Sequence, residues 1–155
     1  MEDNEKILVK DLFDGDLSHS LIVTEDERLE DFIKKYSRHS QHLGIFVVRK
    51  NNMFYGMITV GDLLSFISLR IGKEASYTES VWDILRVSQS CVVKDLIQSN
   101  SESDCVKPDD DVLEAIRLMR ERNLIDLPVI DEKRRIVGHL NLPEMFRRIN
   151  KKHIC

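Results

Sequence analysis

No stretch of this sequence approaches the ~20 apolar residues needed to cross a bilayer. Its opening residues, Met1, Glu2, Asp3, Asn4 and Glu5, lack the apolar core of a secretory signal. The expectation is a cytoplasmic protein without a membrane. Cysteine is scarce. Cys91, Cys105 and Cys155 are odd in number and form no C-x-x-C pair, which points to reduced thiols rather than disulfides or zinc. His39-x-x-His42 has no third ligand at a matching spacing, so no metal is expected and both histidines read as surface residues. The six glycines form neither a Walker A nor a Rossmann pattern, and no Gly-x-Ser-x-Gly elbow presents a serine. Nothing supplies a nucleophile with its base, so no enzyme is expected. An excess of positive charge is missing too. With 23 Lys and Arg against 27 Asp and Glu the net charge is −4, which gives no general attraction for nucleic acid or anionic lipid. The local exception is Arg147, Arg148, Lys151 and Lys152. It reads as the cationic end of a helix, with nucleic-acid contact the lesser alternative.

What is present is a globular composition, 42% hydrophobic and 32% charged over 155 residues. That suits one compact domain or two small halves sharing a core. The chain repeats itself. Val9-Lys10-Asp11-Leu12 recurs as Val93-Lys94-Asp95-Leu96, and Leu29-Glu30 as Leu113-Glu114 at the same offset. Gly56 matches Gly138 at an offset two residues shorter, so the first copy carries two extra residues, placed here in the polar stretch Arg38 to Leu43. Two repeats are too few for a solenoid and suit half-domains that cover each other.

Each copy reads β-α-β-β-α, and the fold class expected is α+β. In the first copy the pattern is a strand at Leu21–Val23, then a helix with Leu29, Phe32, Ile33 and Tyr36 on one face. Strands follow at Ile45–Val48 and Phe54–Ile58 around an Asn51-Asn52 turn, then a helix from about Val60 to Arg70. In the second copy the strand is Cys105-Val106, and the helix carries Val112, Leu113, Ile116 and Met119. The strands Leu127–Ile130 and Ile136–Leu140 flank a turn at Asp131–Arg135, and the last helix carries Met145, Phe146 and Ile149. The organisation is then residues 1–72 as first repeat, 73–92 as linker, and 93–155 as second repeat with a short basic tail. A linking helix with Trp82, Ile84 and Leu85 is expected to pack on the core.

Val112-Leu113-Glu114-Ala115-Ile116 through Met119, followed by Asn123 to Asp131 with Leu127-Pro128-Val129-Ile130, resembles the CBS domain, named after cystathionine β-synthase. So does Gly56-Met57-Ile58-Thr59-Val60-Gly61-Asp62, which follows the family's Gly-h-h-Thr-x-x-Asp signature with h apolar. The resemblance runs from about Val9 to Ile149. It implies a CBS pair, or Bateman module, with two repeats packed through their sheets in pseudo-twofold symmetry. It also implies two clefts for adenosine-containing ligands such as AMP, ATP or S-adenosylmethionine, a homodimer, and a regulatory output to a protein effector. No cofactor beyond such a regulatory ligand is required.

Thr59 and Asp62 are the first candidates. At a strand-to-helix junction a hydroxyl and a carboxylate three residues apart can face one cleft, where free N–H groups meet an anion and the carboxylate accepts ribose hydroxyls. The same Thr-x-x-Asp is also a helix cap, and both readings stand. The resemblance completes this cleft with Met57, Asp104, Cys105, Ile125 and Asp126. Where nucleotide-binding members carry a basic pair, this chain has Ile125-Asp126. A carboxylate there would repel a triphosphate, favouring AMP or an S-adenosylmethionine type of ligand over ATP, unless Asp126 pairs with a nearby arginine. The second copy has Asn141 and Glu144 in place of Thr and Asp, so its cleft is expected to be weaker, altered or empty. That cleft would draw on His139, Ser20, Leu21, Ile22, the Leu43 region and, for a phosphate, His42 or Arg38. Glu114, Arg117, Glu121 and Arg122 read as a solvated helix face. The alternative function is a ligand-free protein–protein interaction module, with its dimer surface as the working part.

Overall fold

The computed structural model describes residues 5–38, 44–74, 91–97 and 101–153. The first copy comprises α1 (Val9–Leu12), β1 (Leu21–Thr24), α2 (Leu29–Arg38), β2 (Ile45–Val48), β3 (Phe54–Ile58) and α3 (Val60–Glu74). The second opens on 3-10 turns at Val93–Leu96 and Ser101–Ser103. It continues with α4 (Val112–Arg122), β4 (Asp126–Ile130), β5 (Ile136–Asn141) and α5 (Leu142–His153). This is the expected α+β arrangement in two halves. The His39–His42 loop and the linking helix expected around Trp82, Ile84 and Leu85 lie outside the described residues. Among the described residues no helix is long and apolar enough to cross a membrane.

The first sheet runs β1-β2-β3, with β1 parallel and β3 antiparallel to β2. The unbroken apolar run of β2 is buried throughout, and β1 at the edge alternates buried and exposed, as position in a sheet dictates. In the second half β4 pairs with β5, but the strand expected at Cys105-Val106 shrinks to one parallel bridge between Val106 and Val129. Val106 N donates to Pro128 O at 3.0 Å and Ile130 N to Val106 O at 2.8 Å. Continuing that ladder toward Asp104 would need the N–H of residue 128, and proline has none. Both hairpins turn through left-handed backbone, at Asn52 (φ 62°) and Arg134 (φ 61°). Asparagine tolerates that region by itself. Arg134 is held there by the first half: Phe54 N donates to its carbonyl at 2.7 Å, and its guanidinium carbon lies 5.8 Å from the Phe54 ring centre.

The two Val-Lys-Asp-Leu phrases do the same job in exchanged places. In each, the aspartate accepts from the backbone N–H three residues earlier, Asp11 from Leu8 at 3.0 Å and Asp95 from Val92 at 2.9 Å. Val9 N and Lys10 N donate to Asp110 O and Pro108 O, in the loop before the second copy's helix. Val93 N and Lys94 N donate to Glu27 O and Glu25 O before the first copy's helix. The apolar residues follow. Val9 and Leu12 lie in a cluster with Val112, Leu127, Val129 and Leu140, whereas Val93 and Leu96 lie with Leu21, Leu29, Phe32 and Val47. Phe46, Phe54 and Met57 of the first sheet also enter the second half's cluster, so the halves share one interior.

These contacts correct the alignment of the repeats. Leu29 N donates to Cys91 O and Val112 N to Ile7 O, so Leu29 corresponds to Val112 rather than to Leu113. Burial agrees: Leu29 is 1% exposed, Val112 5% and Leu113 64%. One of the first copy's two extra residues therefore lies upstream of α2, not in the Arg38 to Leu43 stretch. The buried face of α4 is Val112, Ala115 and Met119, and Leu113 and Ile116 point outward.

Candidate functional site

Thr59 closes β3 and caps α3. Its backbone N and its Oγ1 both donate to Asp62 Oδ2, at 2.8 and 2.9 Å, and Asp62 N donates back to Thr59 Oγ1 at 3.1 Å. This reciprocal box satisfies two orphan donors of the helix start. It engages one carboxylate oxygen only. Both bonds go to Oδ2, so Asp62 Oδ1 takes no part in the box, and Asp62 lines a small polar cavity of ≈ 190 Å³ with Thr59, Ser101, Asp104 and Arg122.

Thr59 and Arg122 also border a larger cavity of ≈ 550 Å³. Met57, Ile58 and Ile45 line it from the first repeat, and Leu124, Ile125 and Asp126 from the second. The volume lies within the ~300–1,000 Å³ of small-molecule sites. Of the residues expected here, Thr59, Met57, Ile125 and Asp126 line the larger cavity, and Thr59, Asp62 and Asp104 the smaller. Cys105 is elsewhere. It lines a third cavity with Arg49, Tyr55 and Arg134, and burial pushes its thiol pKa up.

Two site residues were not found from sequence. Arg122 is exposed, as a solvated helix face requires, but it also has a partner outside its helix. Its Nε and Nη2 each reach 3.0 Å from the buried Asp104 carboxylate, and that bond, with the charge behind it, raises the pKa of the guanidinium. The signal available was the left-handed Asn123 (φ 54°) that ends α4 and turns the chain beside it into the cleft. Ser101 is the other. Its Oγ accepts from Met57 N at 2.6 Å and donates to Met57 O at 2.9 Å. Gly56 makes room for it, since a Cβ there would lie 2.9 Å from Ser101 Oγ. Gly138 admits the opposite segment in the same way, with a Cβ position 2.4 Å from Asp14 O.

The second signature is used differently. Asn141 Oδ1 accepts from Glu144 N at 2.9 Å, a plain cap, while the Glu144 carboxylate pairs with Arg147 and Arg148 on its own helix. His139, expected in that cleft, is turned inward and is 1% exposed. The backbone of Asp14 pairs with the backbone of His139, each N donating to the other's O at 2.8 Å, which lays the first copy's leading segment over β5. Leu21 is in the first half's core, Ile22 is exposed, and His42 lies outside the described residues. Asp126 does have a partner, but it is His139 Nδ1 at 2.8 Å rather than an arginine.

The CBS domain profile matches this chain twice, over residues 9–69 and 93–151. The chain belongs to the CBS domain family. Solved CBS structures share the fold of the whole chain. A CBS domain-containing protein from Thermotoga maritima superposes with a TM-score of 0.72 at 23% identity, covering 98% of this chain and 100% of its own. CBSX2 in complex with AMP gives 0.67 at 19% identity, covering 94% and 97%. The CBS domain pair of protein MJ0100, in complex with 5′-methylthioadenosine and S-adenosyl-L-methionine, gives 0.62 at 18% identity, covering 95% and 98%. No protein of curated function matches the chain. In this CBS pair the intact Thr-x-x-Asp box borders a cavity, and the altered Asn-x-x-Glu box is tied to its own helix.

Proposed function

We propose that this CBS pair is a regulatory sensor that acts in the cytoplasm and takes an adenosine-containing small molecule in the cleft at Thr59 and Asp62. The observation that carries the reading is the cavity itself. It is walled by apolar side chains of both repeats and shares Thr59 and Arg122 with the smaller polar cavity lined by Asp62, whose Oδ1 the helix cap leaves unused. That oxygen suits ribose hydroxyls and the apolar walls suit a flat base. The complexes of CBSX2 with AMP and of MJ0100 with methylthioadenosine and S-adenosylmethionine support the ligand class.

AMP or an S-adenosylmethionine type of ligand is favoured over ATP, for a reason different from the one read in the sequence. Asp126 is matched by His139, so its charge does not face a phosphate chain alone. The obstacle lies in the smaller cavity, where Asp62 and Asp104 supply two carboxylates and the one guanidinium, Arg122, is already engaged by Asp104. A triphosphate there meets like charge. A ligand touching both repeats would favour the conformer in which they close on it, and a protein effector would read that shift.

The module is also proposed to be a homodimer. Val60, Leu64 and Ile67 lie exposed along α3, and Leu142, Phe146 and Ile149 lie exposed along α5 at the same spacing. Two equivalent apolar stripes on repeat-related helices are what an isologous contact with a second copy requires. These stripes are also the observation favouring the second reading, a ligand-free interaction module.

The two readings separate by thermal unfolding with AMP, ADP, ATP, S-adenosylmethionine, methylthioadenosine and NAD at millimolar concentration. A ligand of the folded state adds ~2.7 kcal/mol at a hundred times its Kd. The sensor reading expects AMP or S-adenosylmethionine to raise Tm and Asp62→Ala to abolish the rise while the protein still folds. An unchanged Tm with every compound leaves Thr59 and Asp62 as a helix cap and favours the interaction module.

A further inference from the structure

The larger cavity reaches a buried carboxylate whose bonding is incomplete. Asp126 and His139 are each 1% exposed. His139 Nε2 lies 2.9 Å from the carbonyl oxygen of Asp16, which can only accept, and Nδ1 lies 2.8 Å from Asp126 Oδ1. Nδ1 also lies 3.3 Å from Ser20 Oγ, a hydroxyl that can turn to accept, so both ring nitrogens can donate and an imidazolium paired with a carboxylate satisfies the set. Burial pulls the His139 pKa down, but the bond to Asp126 and the charge of that group more than restore it, and the net shift is upward. Asp126 Oδ2 is left over. It is buried and has no hydrogen-bond partner among the described residues.

An unpaired buried carboxylate oxygen is costly. Gly44 packs against it, and a Cβ there would lie 2.5 Å from Oδ2, so a glycine at 44 is what lets the carboxylate sit at this wall. Gly44 and Asp126 both line the ≈ 550 Å³ cavity, among Ile45, Ile58, Leu124 and Ile125. One acceptor set in apolar walls suits a flat base with an N–H donor on its edge. It does not suit a base that presents a carbonyl there.

We propose that Asp126 determines the base specificity of this cleft: Oδ2 accepts an N–H of the exocyclic amino group of a 6-aminopurine and rejects a 6-oxopurine, whose oxygen would face the carboxylate. The assignment rests on the cleft being the adenosine site proposed above. A site built around a polar contact discriminates strongly against the analogue that cannot make it, because its own group is then left unpaired.

The test is calorimetric titration of the full chain with AMP, IMP and purine riboside 5′-monophosphate, the last lacking any substituent at the 6 position. The expected result is that AMP binds at least about tenfold tighter than either analogue, the size of one charge-assisted hydrogen bond. In Asp126→Asn the preference of AMP over IMP is expected to collapse to within about threefold, since an amide can turn a donor or an acceptor to the base. Circular dichroism checks that this variant folds; if it does not, the wild-type comparison of AMP with purine riboside 5′-monophosphate decides alone. AMP binding with no preference, or with a preference that survives in Asp126→Asn, overturns the assignment and leaves the adenosine cleft standing. Binding by none of the three removes both.

Discussion

At Gly138 an added Cβ would meet the Asp14 carbonyl oxygen at 2.4 Å and the Phe13 ring at 2.5 Å. The first of these is backbone and cannot swing aside. Gly138→Ala is therefore expected to lower stability by about 1–3 kcal/mol, the usual cost of overpacking, measured by urea unfolding. His139 sets a second expectation. Its pKa stands above the ordinary 6.5, through the hydrogen bond and charge of Asp126, the Asp16 carbonyl and the charge of Asp14, against burial. A raised histidine pKa contributes stability that is complete below about pH 6.5 and is lost as pH climbs through the folded-state value. The melting temperature should thus fall from pH 6 into the mildly alkaline range, and His139→Gln should flatten that slope. The sequence shows a histidine two residues before Asn141 but not its direction. Asp126, its partner, sits on the neighbouring strand, where register pairs Asp126 with Asn141 and Pro128 with His139 and so leaves the two as diagonal neighbours on one face.

Among the elements, helices α3 and α5 carry apolar positions in excess of what their own core uses. On α5 Met145 is buried while Leu142, Phe146 and Ile149 stay outside. Helical periodicity reports that such residues share a face, not what covers it. If a second copy covers these stripes, Leu64→Glu with Phe146→Glu should convert a dimer to a monomer in sedimentation-velocity runs, with the circular dichroism of each chain unchanged. A wild-type monomer at tens of micromolar removes the dimer from the proposal. The strands and hairpins were legible because alternation, apolar runs and asparagine turns are local signals. The strand at Cys105-Val106 was misread because apolar residues mark it, while the missing N–H that shortens it belongs to Pro128 on another strand.

As a whole molecule the chain is two halves that complete each other. Val9 and Leu12 fill the second half's cluster, and Val93 and Leu96 the first half's. A fragment of residues 93–155 lacks the segment that donates to Pro108 and Asp110, and a fragment of residues 1–72 lacks the one that donates to Glu25 and Glu27. Neither fragment is expected to fold alone by circular dichroism, whereas the full chain should unfold in one cooperative transition. Two independent transitions, or a folded fragment, would contradict the shared interior.

Sequence by itself determined the tandem repeat, the order of elements in each copy, and the Thr59/Asp62 box, because each depends on neighbours a few residues apart. Tertiary structure decided which half each Val-Lys-Asp-Leu phrase serves, and that Leu29 answers to Val112. It also tied Arg122 to Asp104 and left Asp126 with one oxygen free beside Gly44. These depend on distances between segments remote in the chain. A one-residue shift in register turns an apolar side chain from core to solvent without changing the pattern that announced it.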